Sequence, residues 1–374
     1  MAIKPEKLML VPVAAFVLLL LAGLAVSVIS LQAVTPDEWR ELKDPQKILS
    51  GASTKRFTKL LNAHFVLGTT FNQIERGLQW NLTGDYGPSV RAGCSDWLFL
   101  ADELEVHADR EKSAQFRADL AVRLNAQLRA RGIKLLMVVV PDKTRVESSH
   151  LCGLHRPASF ESRVTNWQAS LKGQGIATLD LTATLMNTPG ERYYRSDTHW
   201  NETGASAAAK TVGTTLVGLG WATVAPAGEV ALNPVRTARS GDLVHLAGLD
   251  GLPGFLRPAL EQAQVTEVAP VAVASDDLFG DSGTPGVALI GTSYSRNSNF
   301  VPFLAHRLGE PLANLAKDGG DFSGAATAYF AGATFRDTPP KLVVWEIPER
   351  VIEMPIKEAE RRWFDTLGKS SWIH

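Results

Sequence analysis

Four short β-prone runs, at 135–140, 176–181, 287–290 and 342–347, constrain the fold of this chain more than any other feature. A strand that covers a core with one face alternates apolar and polar residues, whereas a strand apolar at nearly every position must be covered on both faces. The runs at 135–140 and 342–347 each stop at a proline, Pro141 and Pro348. Helical periodicity fills the spaces between the runs. Phe116, Leu120, Leu124 and Leu128 recur every four residues within 113–131, and Gly132 closes that helix. Further helices are expected near 159–171, 203–219, 298–308 and 324–335, and a short buried strand at 97–100. This alternation predicts an α/β fold, a three-layer sandwich around a mostly parallel central sheet.

The N-terminus has a separate purpose. Lys4 and Lys7 precede residues 8–31, which carry no charge. At about 1.5 Å per helical residue that run exceeds the roughly 30 Å bilayer core, and a secretory signal has an apolar stretch of only about 7–15 residues. Residues 1–34 are therefore expected to be a cytoplasmic stub and uncleaved transmembrane anchor, with the lysines on the cytoplasmic side and the large remainder across the membrane. Residues 35–80 read as a juxtamembrane helical stalk and 81–374 as the main domain. Within that domain 221–286 is an insertion of short strands and loops, marked by Pro226, Pro234, Pro253, Pro258, Pro270 and Pro285.

Charge excludes one class of partner. Setting aside Lys4, Lys7 and Glu6 leaves 36 basic and 38 acidic side chains, so there is no overall footprint for nucleic acid. Cys94 and Cys152 are the two cysteines, and on the oxidising side of a membrane a disulfide between them is expected, two free buried thiols being the alternative. Cys152 with His150 and His155 supplies too few converging ligands for a metal site, so no metal is expected.

Two segments carry chemistry. Asp197-Thr198-His199-Trp200 lies just before the alanine-rich helix, and Gly291-Thr292-Ser293-Tyr294-Ser295 directly follows the apolar run 287–290. A serine hydroxyl attacks acyl carbon when an imidazole removes its proton, and a carboxylate fixes that imidazole's tautomer. Asp197, His199 and Ser293 supply the three groups. The bland alternative makes Asp197 a helix cap, His199 a packing partner of Trp200, and Ser293 a second cap. An α/β-hydrolase nucleophile elbow fits poorly, because position 295 is serine rather than glycine and the order here is acid, base, nucleophile.

With Trp97-Leu98-Phe99 and Trp345-Glu346-Ile347-Pro348-Glu349-Arg350, these segments resemble the alginate O-acetyltransferase J and X (AlgJ/AlgX-like) group of SGNH-hydrolase-like proteins. The resemblance covers most of the exported region, with the Asp/His block placed first as in a circular permutation. It implies roles for Asp197, His199 and Ser293 as acid, base and nucleophile. It also implies acetyl transfer through an acyl-serine to hydroxyls of an extracytoplasmic polysaccharide, alginate or a similar exopolysaccharide, without a cofactor. The implied partners are a polysaccharide acceptor, a membrane-bound O-acyltransferase that supplies acetyl, other exopolysaccharide-assembly proteins and the bacterial inner membrane, with the catalytic domain in the periplasm. An acetyl esterase and a catalytically silent assembly protein are the rival functions.

Gly319 and Gly320 resemble the glycine block that donates to an oxyanion, while Tyr294, Arg296, Asn297 and Arg350 are candidates for substrate or oxyanion contacts. Trp363, Phe364 and Trp372 form an aromatic tail expected to dock on the domain.

Overall fold

The computed structural model describes residues 5–223, 234–271 and 285–368. The chain forms two compact units, one of residues up to 83 together with 248–257, the other of the remainder.

In the first unit helix α1 spans Pro5–Gln32. Its segment Pro12–Gln32 is long and apolar enough to cross a membrane, and its side chains are almost all exposed. The chain breaks from that helix at Thr35, which caps α2 (Pro36–Leu42) in a reciprocal box with Glu38. Three more helices follow, α3 (Pro45–Leu49), α4 (Ala52–His64) and α5 (Gly68–Thr83). Residues 248–257, which the sequence places in the insertion, belong to this unit. They pack on α5, where a Cβ at Gly77 would come within 2.8 Å of Leu252 Cδ1.

The second unit opens with a hairpin of β1 (Val90–Ala92) and β2 (Leu98–Leu100), the short strand expected at 97–100. Helix α6 (Arg110–Ala130) then leads into β3 (Lys134–Val140). After α7 (Lys143–Val146) and α8 (Arg163–Lys172) come β4 (Ala177–Asp180), α9 (Thr182–Asn187) and α10 (Glu202–Gly218). The insertion contributes β5 (Pro234–Arg239), α11 (Asp242–Leu246) and β6 (Glu261–Thr266), with β5 and β6 paired antiparallel. The last third is β7 (Val287–Ile290), α12 (Phe300–Leu308), β8 (Leu312–Asn314), α13 (Gly324–Phe330), α14 (Ala333–Asp337), β9 (Leu342–Pro348) and α15 (Glu358–Leu367).

Five strands form one parallel sheet in the order β4-β3-β9-β7-β8. Alternate residues of the same strand feed two different cores. Leu135, Met137 and Val139 of β3 join Val343, Trp345 and Ile347 of β9 under α6, α8, α13 and α15. Leu136, Val138 and Val140 join Leu342 and Val344 against α10 and α12. Two covered faces explain why these strands have no polar side to show the solvent.

Strand β9 is central, with β3 on one side and β7 on the other, so the chain order reverses direction around it. Loops at the carboxyl ends of β3, β9 and β7 therefore meet above the sheet, where open α/β folds place their sites. Cys94 and Cys152 are joined by a disulfide that ties the β1–β2 turn to the loop after α7. In the C-terminal helix Trp363 is buried in the first of the two cores and Phe364 packs beside it and against Phe116, while Trp372 lies outside the described residues.

Candidate active site

Strand β7 ends at Ile290, and the chain turns sharply at Gly291 into a single 3-10 turn, residues 293–296. The turn is possible because Gly291 has no Cβ, which would sit 2.4 Å from Glu346 Oε2 and 2.7 Å from Ser295 Oγ. Glu346, in the middle of β9, is wholly buried beneath this turn. Its carboxylate accepts the backbone N–H of Thr292 at 2.7 Å, the Thr292 hydroxyl at 2.9 Å and the Ser295 hydroxyl at 2.8 Å. Ser293, between these two anchored residues, is left half-buried with its hydroxyl free to face the neighbouring loop.

That loop carries Asp197 and His199, both buried. His199 Nδ1 lies 2.6 Å from Asp197 Oδ1, and His199 Nε2 lies 2.6 Å from Ser293 Oγ. An ionised carboxylate can only accept, so the proton of the ring is on Nδ1 and the bare Nε2 accepts the serine O–H. Asp197 Oδ1 also accepts the backbone N–H of His199 at 2.9 Å. Helix capping is done instead by Asn201, whose side chain accepts the N–H of Gly204. Beneath the ring, Tyr294 packs edge-on against both His199 and Trp200.

Four residues outside the sequence-derived set hold this arrangement. Arg239 at the end of β5 contacts Asp197 Oδ2, and the backbone N–H of Asp242 donates to the same oxygen at 3.1 Å. Lys143, the first residue of α7 and wholly buried, donates from Nζ to the carbonyls of Leu98, Arg195 and Asp197 at 2.6, 2.9 and 2.9 Å. Glu346 is the fourth. A carboxylate inside an otherwise apolar central strand was a readable signal for Glu346. Nothing in the proline-rich insertion singled out Arg239 or Asp242.

Burial works to raise the Asp197 carboxyl. The hydrogen bond and charge of His199, with the Arg239 guanidinium, overcome it and hold Asp197 well below the usual carboxylate range. Burial raises Asp242, and the Asp197 charge beside it raises it further. Burial likewise raises Glu346 against the hydrogen bonds it accepts, and lowers the Lys143 amine to about 8.

Asp197, His199 and Asp242 bring three ligand-type atoms within 4.8 Å of one another. Both Asp197 oxygens and both His199 nitrogens are already engaged, and a guanidinium occupies the outer side, so the geometry fits a proton relay and not a cation cage.

The remaining candidates divide. Tyr294 is fully buried and its hydroxyl donates to Thr198 O at 2.9 Å, so its side chain is a support under the histidine and does not reach a substrate. Arg350 is largely buried, 3.8 Å from Glu103 Oε1 and with its Cζ 6.0 Å from the centre of the Tyr294 ring. Asn297 donates from Nδ2 to Ser293 O at 2.8 Å and braces the turn that carries Ser293. Gly320 donates its N–H to Lys317 O, which removes it as an oxyanion donor. Gly319, with φ +63°, stands in the same loop, which is tied to the Ser293 turn where the backbone N–H of Lys317 donates to Gly291 O at 3.0 Å. Arg296 is exposed on the rim, facing Asp318 at 3.6 Å.

Comparison with known proteins places the chain in a family. Residues 90–349 match the SGNH hydrolase-like domain of the acetyltransferase AlgX. The chain is 30% identical over 334 residues to the "Probable alginate O-acetylase AlgJ" of Pseudomonas syringae pv. tomato, covering 86% of this chain and 85% of that one. The AlgJ of the same description from Pseudomonas aeruginosa is 31% identical over 320 residues, 82% and 81% of the two chains. Among solved structures, the O-acetyltransferase domain of Pseudomonas putida AlgJ superposes with a TM-score of 0.63 at 26% identity, covering 75% of this chain and 99% of that domain. The chain belongs to the AlgJ/AlgX family of SGNH hydrolase-like acetyltransferases.

Proposed function

We propose that this protein is a polysaccharide O-acetyltransferase that carries acetyl on Ser293 and passes it to hydroxyls of alginate or a similar exopolysaccharide. The observation that carries this reading is the unbroken line from Asp197 Oδ1 through His199 to Ser293 Oγ, with both links at 2.6 Å. Membership of a family whose relatives are described as alginate O-acetylases supports the choice of acetyl and of polymer.

The chemistry follows from the groups in place. His199 Nε2 takes the Ser293 proton as Oγ attacks the acetyl carbonyl, and Asp197 stabilises the imidazolium that forms. Backbone N–H groups at Ser293 and Gly319 are the proposed donors to the tetrahedral oxyanion, each worth roughly 3–4 kcal/mol of barrier when well aimed. Collapse returns the proton from His199 to the departing donor. A sugar hydroxyl then loses its proton to His199, attacks the acyl-serine and leaves as the acetyl ester while Ser293 recovers its hydrogen.

In the cell, residues 1–34 would anchor the chain in the bacterial inner membrane, 35–80 form the stalk and 81–374 act in the periplasm. A membrane-bound O-acyltransferase would supply the acetyl group and other exopolysaccharide-assembly proteins would present the polymer.

Incubating the exported part with an acetyl donor and de-acetylated alginate, then measuring ester on the recovered polymer, tests the reading. Net ester gain that depends on Ser293 is expected. Donor hydrolysis with no gain on alginate or on a neutral glucan would refute transfer.

A further inference from the structure

Residues 234–266 stand between the acid–base segment and the nucleophile in sequence, yet their hairpin ends on the acid. Arg239 and Glu261 are directly opposed across the β5–β6 pair. From that one register position they grip the loop 195–197 with opposite charges. Glu261 accepts the backbone N–H groups of Arg195 and Ser196 at 2.7 and 3.1 Å and the Ser196 hydroxyl at 2.9 Å. Arg239 takes Asp197 Oδ2, the oxygen that His199 does not use. The two segments are pressed together so closely that a Cβ at Gly241 would lie 1.9 Å from Ser196 O.

We propose that Arg239 is a positioning residue of the reaction, the fourth member of the Asp197–His199–Ser293 line, delivered by the insertion hairpin. This rests on the acyl-serine reading above. Asp197 is only 2% exposed, and the other donor described at its Oδ2 is a neutral one, the N–H of Asp242, so removing the guanidinium takes away the charged partner of that oxygen. A buried carboxylate short of donors takes up a proton or turns toward the nearest one, and either change spoils the fixed acceptor that holds the imidazole in its productive tautomer. Arg239 supplies a charge-assisted bond to that oxygen, which keeps the carboxyl ionised and fixes its plane with Oδ1 toward the ring. The guanidinium is itself positioned by the Tyr194 ring, 4.1 Å from its Cζ. It is not a surface ion pair: one partner is buried and shared with the histidine, so neither water nor salt can substitute for it easily.

The test compares Arg239→Met, Arg239→Lys, Arg239→Ala and Ser293→Ala in the full-length protein, using p-nitrophenyl acetate as the acyl donor and proton NMR of the imidazole N–H. In Arg239→Met, kcat is expected to fall roughly 10- to 100-fold with KM changed less than about twofold, the loss of one charge-assisted contact. The far-downfield resonance of the His199 Nδ1 proton should shift in Arg239→Met and persist in Ser293→Ala. Arg239→Lys should recover most of the rate, and added guanidinium ion should restore part of it to Arg239→Ala. Wild-type kcat in Arg239→Met beside an inactive Ser293→Ala would overturn the inference and leave the acyl-serine reading standing. So would a loss that neither lysine nor guanidinium repairs while the resonance is unmoved. If Ser293→Ala stayed active, the acyl-serine reading would fail, and an unshifted resonance in Arg239→Met would separately dispose of Arg239's role.

Discussion

The carboxylate of Glu346 accepts the backbone N–H of Thr292 at 2.7 Å, directly beneath the residue that precedes Ser293. This bond and the two hydroxyls on the same carboxylate fix the Ser293 turn to the central strand. Replacing Glu346 by alanine leaves the buried Thr292 N–H without its acceptor, so a loss of about 2–4 kcal/mol is expected in urea unfolding, with a fall in acyl transfer. Glutamine fills the space but presents an amide N–H where acceptors are needed. It should recover less than half of that stability. Wild-type unfolding midpoints in both variants would contradict this role.

Lys143 makes a prediction with a sign. Burial lowers its folded amine to about 8 from the ordinary 10.5, so between those values the unfolded chain holds the proton that the folded chain has released. Stability contributed through this group therefore rises as pH goes from about 8 towards 10.5. Wild type should gain on Lys143→Met across that window in parallel guanidinium melts at pH 7 and pH 9.5. A gap that is constant or narrows would show that the amine is not titrating there.

Asp197→Asn should lower kcat by roughly 10³- to 10⁴-fold, because the amide no longer dictates which ring nitrogen of His199 carries the proton. The pH dependence has the same sign as that of Lys143 but falls in the acid range. Asp197 is held well below the ordinary 3.8, so its stabilising contribution is complete above that value and is lost as pH falls through the lower folded value. Acid titrations of wild type and variant should keep a constant separation down to about pH 4 and converge only in stronger acid.

The disulfide between Cys94 and Cys152 closes a loop of 58 residues that holds the β1–β2 hairpin near the Asp197 loop. Cys94→Ser, measured against oxidised wild type, should cost about 3–4 kcal/mol by loop entropy. Since Leu98 of that hairpin offers its carbonyl to Lys143 and its N–H to Arg195 O, catalytic rate should fall as well. Unchanged thermal unfolding after reduction would contradict a structural role.

Strands with nothing polar to show were the easiest part of the fold to read, and 287–290 coincides with β7 to the residue. Strand β8 was invisible, because Leu312, Ala313 and Asn314 form a three-residue, partly exposed edge with no apolar run. That Asp197, His199 and Ser293 come together could be anticipated, because an acid–base–nucleophile line would need those residue types. Their supports could not, since Arg239 reaches Asp197 only through the fold of a segment whose sequence is dominated by turns. The surroundings of Tyr294 and Arg350 were less legible. Both sit beside the motifs in sequence, yet each side chain is drawn inward, one by the Thr198 carbonyl and the other by Glu103.

Mass spectrometry of the enzyme quenched during turnover of p-nitrophenyl acetate would reveal which residue holds the acetyl group. A single acetyl group is expected on the peptide containing Ser293, absent in Ser293→Ala and accumulating far more slowly in His199→Ala. Acetyl found on another residue, or undiminished turnover by Ser293→Ala, would contradict the acyl-serine reading.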